Sequence, residues 1–279
     1  MSPRVPTTAP APVPVPAIAS RAASDRAVLA SDVHLGPDDP ATVEAFLEAL
    51  PQVVAGAQRL FLLGDLFDAW IGDDVDAVAL AEADAAYDRL ARRVAATLAE
   101  IAAGGCAVGL GRGNRDFLLG ERYAQACGAA LLPDQAVVLL GGEPALLSHG
   151  DELCTSDVDY QRFRAQVRAP AWQAGFLAQP RAVRMAVARR LRGESESAKR
   201  EKAADIMDVD ADAVRDAMRS HGIARLVHGH THRPDVHRFE LDGAPAERWV
   251  LSDWDASAGR GDFLVVDAEG WRRVGPPAR

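Results

Sequence analysis

The sequence predicts a layered α/β protein, and three observations predict it. Apolar runs of strand length recur at Ala27 to Ala30, Leu60 to Leu63, Cys106 to Leu110, Pro144 to Leu147 and Ala224 to Val227. Ala-rich amphipathic stretches lie between them, near 41 to 50, 76 to 103 and 117 to 127, giving the strand-helix alternation of stacked layers. From 236 onward the texture changes to short alternating runs, 236 to 241, 246 to 251 and 263 to 267, split by Asp-Gly and Ala-Glu-Gly turns. These predict antiparallel strands closing a second sheet.

Before the first strand, residues 1 to 24 alternate Pro with Ala, Val and Thr, a composition that solvates the chain and builds no core. A disordered tail is expected; a signal peptide is the competing reading, but the run has no uninterrupted apolar region. Residues 25 to 279 are expected to form one domain, since a chain of 279 residues with 48% hydrophobic and 25% charged side chains supports one large core. The net charge of −9 argues against a general nucleic-acid binder. Cys106, Cys127 and Cys154 show no paired spacing, which fits a reducing compartment rather than a disulfide framework. No segment approaches the roughly 20 apolar residues that span a bilayer.

Each of the five strand-type runs leads into side chains that bind metals: Asp32-Val33-His34, Gly64-Asp65, Gly113-Asn114-Arg115, His149-Gly150-Asp151 and His228-Gly229-His230-Thr231-His232. Singly, each has a structural alternative. Asp65 after Gly64 fits a helix N-cap, Asn114 a Gly-Asn turn, and His149 a satisfied polar group in the core. His230 and His232, two apart on a tight turn, are costly to hold together unless a cation keeps both neutral. Five coincidences in one order favour a single explanation, in which Asp32, His34, Asp65, Asn114, His149, His230 and His232 gather around two divalent cations. Asp, His and Asn donors without cysteine suit manganese, iron or zinc. Paired cations of this kind lower the pKa of water and ready it to attack phosphorus. Arg115 is placed to brace the charge on phosphate oxygens; a surface ion pair with Asp116 is its alternative.

The ordered words D-x-H, G-D-x-x-D, G-N-R-D, H-G-D and G-H-T-H resemble the calcineurin-like metallophosphoesterase superfamily. The longer words Gly64 to Asp74, Gly113 to Leu118, His149 to Thr155 and Ile206 to Val209 are similar to its UDP-2,3-diacylglucosamine diphosphatase family of lipid A biosynthesis, a likeness that runs over nearly all the chain beyond the tail. The resemblance implies a four-layer α-β-β-α sandwich with a helical cap inserted at about 157 to 208, sheltering acyl chains. It implies two Mn²⁺ per chain, one held by Asp32, His34, Asp65 and His232 and one by Asp65, Asn114, His149 and His230, with Asp65 bridging. It further implies hydrolysis of UDP-2,3-diacylglucosamine to UMP and 2,3-diacylglucosamine 1-phosphate. Arg115 would be catalytic, and substrate contacts would come from Asn114, Arg115, Asp157, Ser195, Lys199, Lys202 and His230. Ala198 departs from the polar residue often found at its place.

The residues single out the cap region by themselves as well. Between Arg162 and Lys202 eleven basic residues stand against three acidic ones, a balance that suits a phosphorylated substrate or an anionic membrane surface. Trp172, Phe176, Pro180, Val183, Val187 and Leu191 recur at helical spacing as one apolar stripe, interrupted by Pro180, whose plain reading is a core-facing face. Lys199 and Lys202 are the only lysines among 31 Lys and Arg, and an ammonium is not interchangeable with a guanidinium at a phosphate. The expected partners are a lipid-linked UDP-sugar and the cytoplasmic face of the inner membrane, with no nucleic acid; a monomeric, cytoplasmic, peripheral enzyme is expected. A soluble nucleotide or phosphate ester as substrate, and a non-catalytic scaffold, are the alternatives. The Ala-rich helix near 76 to 103 lengthens the stretch between Asp65 and Asn114, and the sequence assigns it no role.

Overall fold

The computed structural model describes residues 25–75, 82–201 and 208–276; the N-terminal segment 1 to 24 and Lys202 lie outside them. β1 (Ala27–Ala30) is buried along its whole length and pairs in parallel with β2 (Arg59–Leu63). β2 pairs in parallel with β3 (Ala107–Gly111), and β3 with β4 (Ala129–Leu131). On the other side of β1, β10 (Phe263–Asp267) and then β11 (Gly270–Val274) add antiparallel. The second sheet contains β5 (Gln135–Leu140), β6 (Glu143–Ser148), β7 (Arg225–His228), β8 (Asp235–Leu241) and β9 (Ala244–Val250) in the order β5-β6-β7-β9-β8. Its inner pairs, β6 with β7 and β7 with β9, are parallel, and its outer pairs are antiparallel.

Alternation along the strands builds the layers. Val28 and Leu60 turn to one face of the first sheet, where they join Phe46 and Leu50 of α1 (Pro40–Val53), Val94 and Leu98 of α2 (Glu82–Ala103) and Tyr123 of α3 (Glu121–Ala126). Leu29 and Phe61 turn to the other face and meet Val138, Leu147 and Val227 of the second sheet. Leu146 and Leu226 on the far side of that sheet pack on Val214 and Met218 of α7 (Ala211–His221). The order of layers is therefore α-β-β-α. Phe61 is fully buried between the sheets, and such burial contributes about 2–3 kcal/mol.

Local chemistry sets the returns between layers. Asp39 caps α1 by accepting from the Thr42 N–H at 3.1 Å, and Pro40 supplies the preset φ of a first helical residue. Between β6 and β7 the chain inserts α4 (Val158–Arg168), α5 (Pro170–Leu177), α6 (Arg181–Glu201) and α7. Pro170 opens α5 and Pro180 immediately precedes α6, so Pro180 divides the expected stripe as the sequence suggests.

Three expectations need correction. The run 263 to 267 does not close the second sheet; as β10 it joins the first, because both its faces are covered and its burial does not alternate. Of the stretch 117 to 127 only Glu121–Ala126 is helical, since the preceding residues form the turn that carries Asn114. The plain reading of α6 as a core-facing stripe holds only in part: Val183 is 45% exposed and Val187 and Leu191 are half-buried, while the most deeply buried side chains are Arg184, 3% exposed, and Met185. Among the described residues no helix is long and apolar enough to cross a membrane.

Candidate metal centre

The C-terminal ends of β1, β2, β3, β6 and β7 meet along one edge of the paired sheets, the side on which parallel strands present their loops. Asp32 and His34 follow β1, Asp65 follows β2, Asn114 follows β3, His149 follows β6, and His230 and His232 follow β7. Five of these seven residues have left-handed backbone: Asp32, His34, Asp65, His230 and His232, with φ between 51° and 66°. Non-glycine residues hold that conformation at a cost, and the surrounding structure must enforce it. Glycines supply the room. A Cβ at Gly113 would lie 2.0 Å from Asp65 Oδ1, and one at Gly229 would lie 2.1 Å from Asp32 Oδ2.

The donors fall into two adjoining groups. In the first, His34 Nε2 faces His232 Nε2 at 3.2 Å, and Asp32 Oδ1 lies 3.3 Å from His232 Nε2 and 3.9 Å from His34 Nε2. In the second, Asn114 Oδ1 lies 3.1 Å from His149 Nε2 and 2.9 Å from His230 Nδ1. Asp65 faces both: its Oδ2 is 3.8 Å from His34 Nδ1, and its Oδ1 is 3.8 Å from His149 Nε2. Asp32 contributes to both compact groups as well, with His34 and His232 on one side and with Asp65 and His149 on the other.

This donor set fits two divalent cations. Asp32 Oδ1 is buried with no hydrogen-bond partner, and the two imidazole nitrogens facing each other at 3.2 Å, able to share one proton between them, are equally placed to share a cation. Burial, with the like charges of Asp116 and Asp32, pushes the Asp65 carboxyl up to about 7 against the pull of His149. Burial also opposes ionisation of Asp32, but His232, His149 and His34 outweigh it and hold its carboxyl far below the usual range. Burial lowers His149, yet the surrounding carboxylates Asp65, Asp32, Asp151 and Asp116 raise it to about 9. Crowded buried carboxylates of this kind call for positive charge. The His149 Nδ1–H donates to the Leu63 carbonyl at 3.1 Å, which aims Nε2 into the cluster. His228 stands apart: burial and Arg248 lower its pKa to about 4, and its Nδ1–H donates to the Gly229 carbonyl at 2.8 Å.

Sequence reasoning missed the residue that ties the loops together. Asp116 is fully buried and accepts from the N–H groups of Asp65 at 3.1 Å, Leu66 at 2.8 Å, Phe67 at 3.4 Å and Gly113 at 2.7 Å. It is therefore no surface partner for Arg115, whose Nη1 donates to Asp68 Oδ1 at 3.2 Å and whose N–H donates to Asp65 Oδ1 at 2.7 Å. Asp253 was missed too; its Oδ2 lies 3.5 Å from His232 Nδ1 and is held by Arg260 Nη2 at 3.0 Å. In the sequence Asp116 showed only as the last letter of the word G-N-R-D, with nothing local to say what it would bind.

Cap helices press on the same loops. The Tyr160 ring of α4 lies over His230 with centroids 6.0 Å apart, and its hydroxyl donates to Asp151 Oδ2 at 2.5 Å. Arg164 Nε donates to the same oxygen at 2.8 Å, while Arg168 Nη2 donates to the Gly113 carbonyl at 3.1 Å. Trp172 stacks on Phe176 and meets Phe117 just beyond Asn114. Asp157, an expected substrate contact, caps α4 by accepting from the Tyr160 N–H at 3.1 Å. Ser195 and Lys199 lie on α6.

Two facing sheets that deliver paired Asp, His and Asn donor groups from their strand ends define a metallophosphoesterase. The comparisons with known proteins narrow the class. UDP-2,3-diacylglucosamine hydrolase of Bordetella pertussis is 50% identical over 247 residues, covering 87% of this chain and 92% of that protein. The protein of the same name from Cellvibrio japonicus is 49% identical over 224 residues, covering 80% and 89%, and that of Pseudomonas aeruginosa strain UCBPP-PA14 is 44% identical over 246 residues, covering 88% and 96%. The chain belongs to the UDP-2,3-diacylglucosamine hydrolase family. Among solved structures, an archaeal phosphodiesterase matches 90% of this chain and 99% of its own at a TM-score of 0.40 and 12% identity. No family model matches the chain.

Proposed function

We propose that the protein hydrolyses the pyrophosphate bond of UDP-2,3-diacylglucosamine. Water adds to the α-phosphorus, the bond from that phosphorus to the bridging oxygen breaks, and UMP leaves 2,3-diacylglucosamine 1-phosphate behind. The observation that carries the reaction class is the convergence of seven donor residues from five strand ends on two adjoining groups. The lipid substrate rests on the shared name of the relatives.

Asp32, His34, Asp65 and His232 would hold one cation and Asp65, Asn114, His149 and His230 the other, and manganese suits this set of oxygen and imidazole donors. Bound there, two such cations supply electrophilic charge and lower the pKa of water. The chain's own residues do the rest. Arg115, half-buried and tethered beside Asp68, reaches phosphate oxygens and offsets their charge as the bridging oxygen leaves. Asp116 keeps the Asp65 and Asn114 loops in register. Tyr160, stacked on His230, closes one wall and limits water.

Residues of about 157 to 208 act as the cap, and Asn114, Asp157, Ser195, Lys199, Lys202 and His230 contact substrate. Exposed Leu177 and Val183 offer apolar surface for acyl chains, and the excess of basic residues between Arg162 and Lys202 suits the cytoplasmic face of the inner membrane, where a monomer would sit peripherally. The test is incubation of purified protein with Mn²⁺ and UDP-2,3-diacylglucosamine in detergent and ¹⁸O-water. UMP carrying one ¹⁸O, detected by mass, is the expected product. Label in the sugar phosphate would move the attack to the other phosphorus, and turnover of simple aryl phosphates alone would remove the lipid assignment while leaving the metal centre.

A further inference from the structure

The Ala-rich helix α2 contributes no donor to the metal centre, yet it reaches the cap. Asp88 on α2 is buried, and its carboxylate pairs with Arg181 Nη2 at the first turn of α6. Arg181 Nη1 donates to the carbonyl of Asp74. One turn further on, Arg184 donates through Nη1 to the carbonyl of Ile71 and, at 3.0 Å, to Asp74 Oδ1, through Nη2 to Asp74 Oδ2, and through Nε to the Gln179 carbonyl at 3.1 Å. Ile71 and Asp74 belong to the loop that leaves Asp65, and Arg92 of α2 braces the end of that loop by donating to the Val75 carbonyl at 3.1 Å. Arg181 thus bridges α2 and the loop that follows Asp65, and Arg184 is locked onto that same loop.

The packing of α6 shows that these polar contacts share the seat of the helix with the deeply buried apolar side chain of Met185. Arg184 is 3% exposed while the neighbouring Val183 is 45% exposed. Buried guanidinium-carboxylate pairs with fork geometry fix orientation more than they add net stability.

We propose that Asp88, Arg181, Arg184 and Asp74 form a latch that sets the angle of α6 over the metal centre, and so positions the residues of its far half for the lipid nucleotide. The inference rests on the hydrolase reading of the site. Fifteen residues separate Arg184 from Lys199, a span of about 22 Å along a helix, so a tilt of about 10° at the latch displaces that end by about 4 Å. Such a shift exceeds what a hydrogen bond tolerates. α2 thereby gains a role: it carries Asp88 to the foot of the cap.

The experiment compares wild type, Asp88→Asn and the charge-exchanged double variant Asp88→Arg with Arg181→Asp. Each is followed by kcat and KM for UMP release, by turnover of bis(p-nitrophenyl) phosphate, by bound manganese, and by hydrogen exchange along α6. Asp88→Asn is expected to raise KM for the lipid nucleotide roughly tenfold, with aryl-diester turnover and manganese content unchanged and α6 amides exchanging faster. The double variant is expected to recover most of the loss. If Asp88→Asn fails to fold, Arg181→Lys, which keeps the charge and loses the fork, carries the same readouts with a smaller rise in KM. An active wild type whose variants keep its KM overturns the latch alone, as does a loss of all activities in equal proportion. A wild type inert toward the lipid nucleotide overturns the hydrolase reading instead, while exchange along α6 still reports whether Asp88 holds the helix.

Discussion

At the scale of single residues, Asp116 has the sharpest test. Replacing it with alanine strands four N–H groups that now share one buried carboxylate, those of Asp65, Leu66, Phe67 and Gly113. Orphaned donors cost about 1 kcal/mol each after partial rehydration, so Asp116→Ala is expected to lose about 4 kcal/mol of unfolding free energy, read from urea denaturation. Asp116→Asn, which keeps one acceptor oxygen, is expected to lose less. The convergence of the candidate donors was legible in the sequence because residue type and spacing announce it: His230 and His232 on one tight turn are costly to hold together without a cation. Asp116 was not legible, because a carboxylate that accepts backbone N–H groups from about 50 positions upstream reads locally like one at the surface. The same reasoning covers Asp253, whose role depends on His232 arriving beside it from another strand.

At the scale of elements, the docking of α4 hangs on a buried carboxylate. Asp151 is 1% exposed, and Tyr160, Arg164 and Arg168 converge on it. Arg164→Ala removes one charge-assisted hydrogen bond and leaves the Tyr160 and Arg168 contacts, so a loss of about 2 kcal/mol is expected in urea denaturation. Arg164→Lys should recover part of it, since an ammonium restores the charge without the fork. β1, β2, β3, β6 and β7 could be read from apolar runs ending in metal-type side chains, whereas β4, β5 and β11 carried no such mark. β10 was assigned to the wrong sheet because its run was read as alternating with those before it, whereas Phe-Leu-Val-Val carries no alternation; paired between β1 and β11 and covered on both faces, it has no need of one. α6 misled in the opposite sense. Its periodic valines promise an apolar seat, whereas much of the seat is carboxylates and carbonyls that belong to α2 and to the loop after β2, and no local pattern carries that information.

At the scale of the whole molecule, acid should loosen the fold through carboxylates outside the metal centre. Burial tends to raise Asp74 and Asp208, but Arg184 for the first, and the Val209 N–H with Arg233 for the second, hold both below their ordinary value; Arg272 does the same for the half-buried Asp267. Because the folded pKa values are depressed, their contribution is fully present above the unfolded value and is lost as pH falls through the folded values. Urea midpoints are therefore expected to hold between about pH 7 and pH 5 and to fall below about pH 4; a flat profile through that window would count against these pairs.

One feature of the edge where the strands end reaches beyond chemistry. Each donor group takes members from both sheets: Asp32 and His34 come from the first and His232 from the second, and Asp65 and Asn114 come from the first and His149 and His230 from the second. A cation seated in either group would rivet the two halves of the sandwich, so loading and cohesion become a single equilibrium. A cell starved of the ion would then hold a molecule that is not merely idle but ajar at its working seam.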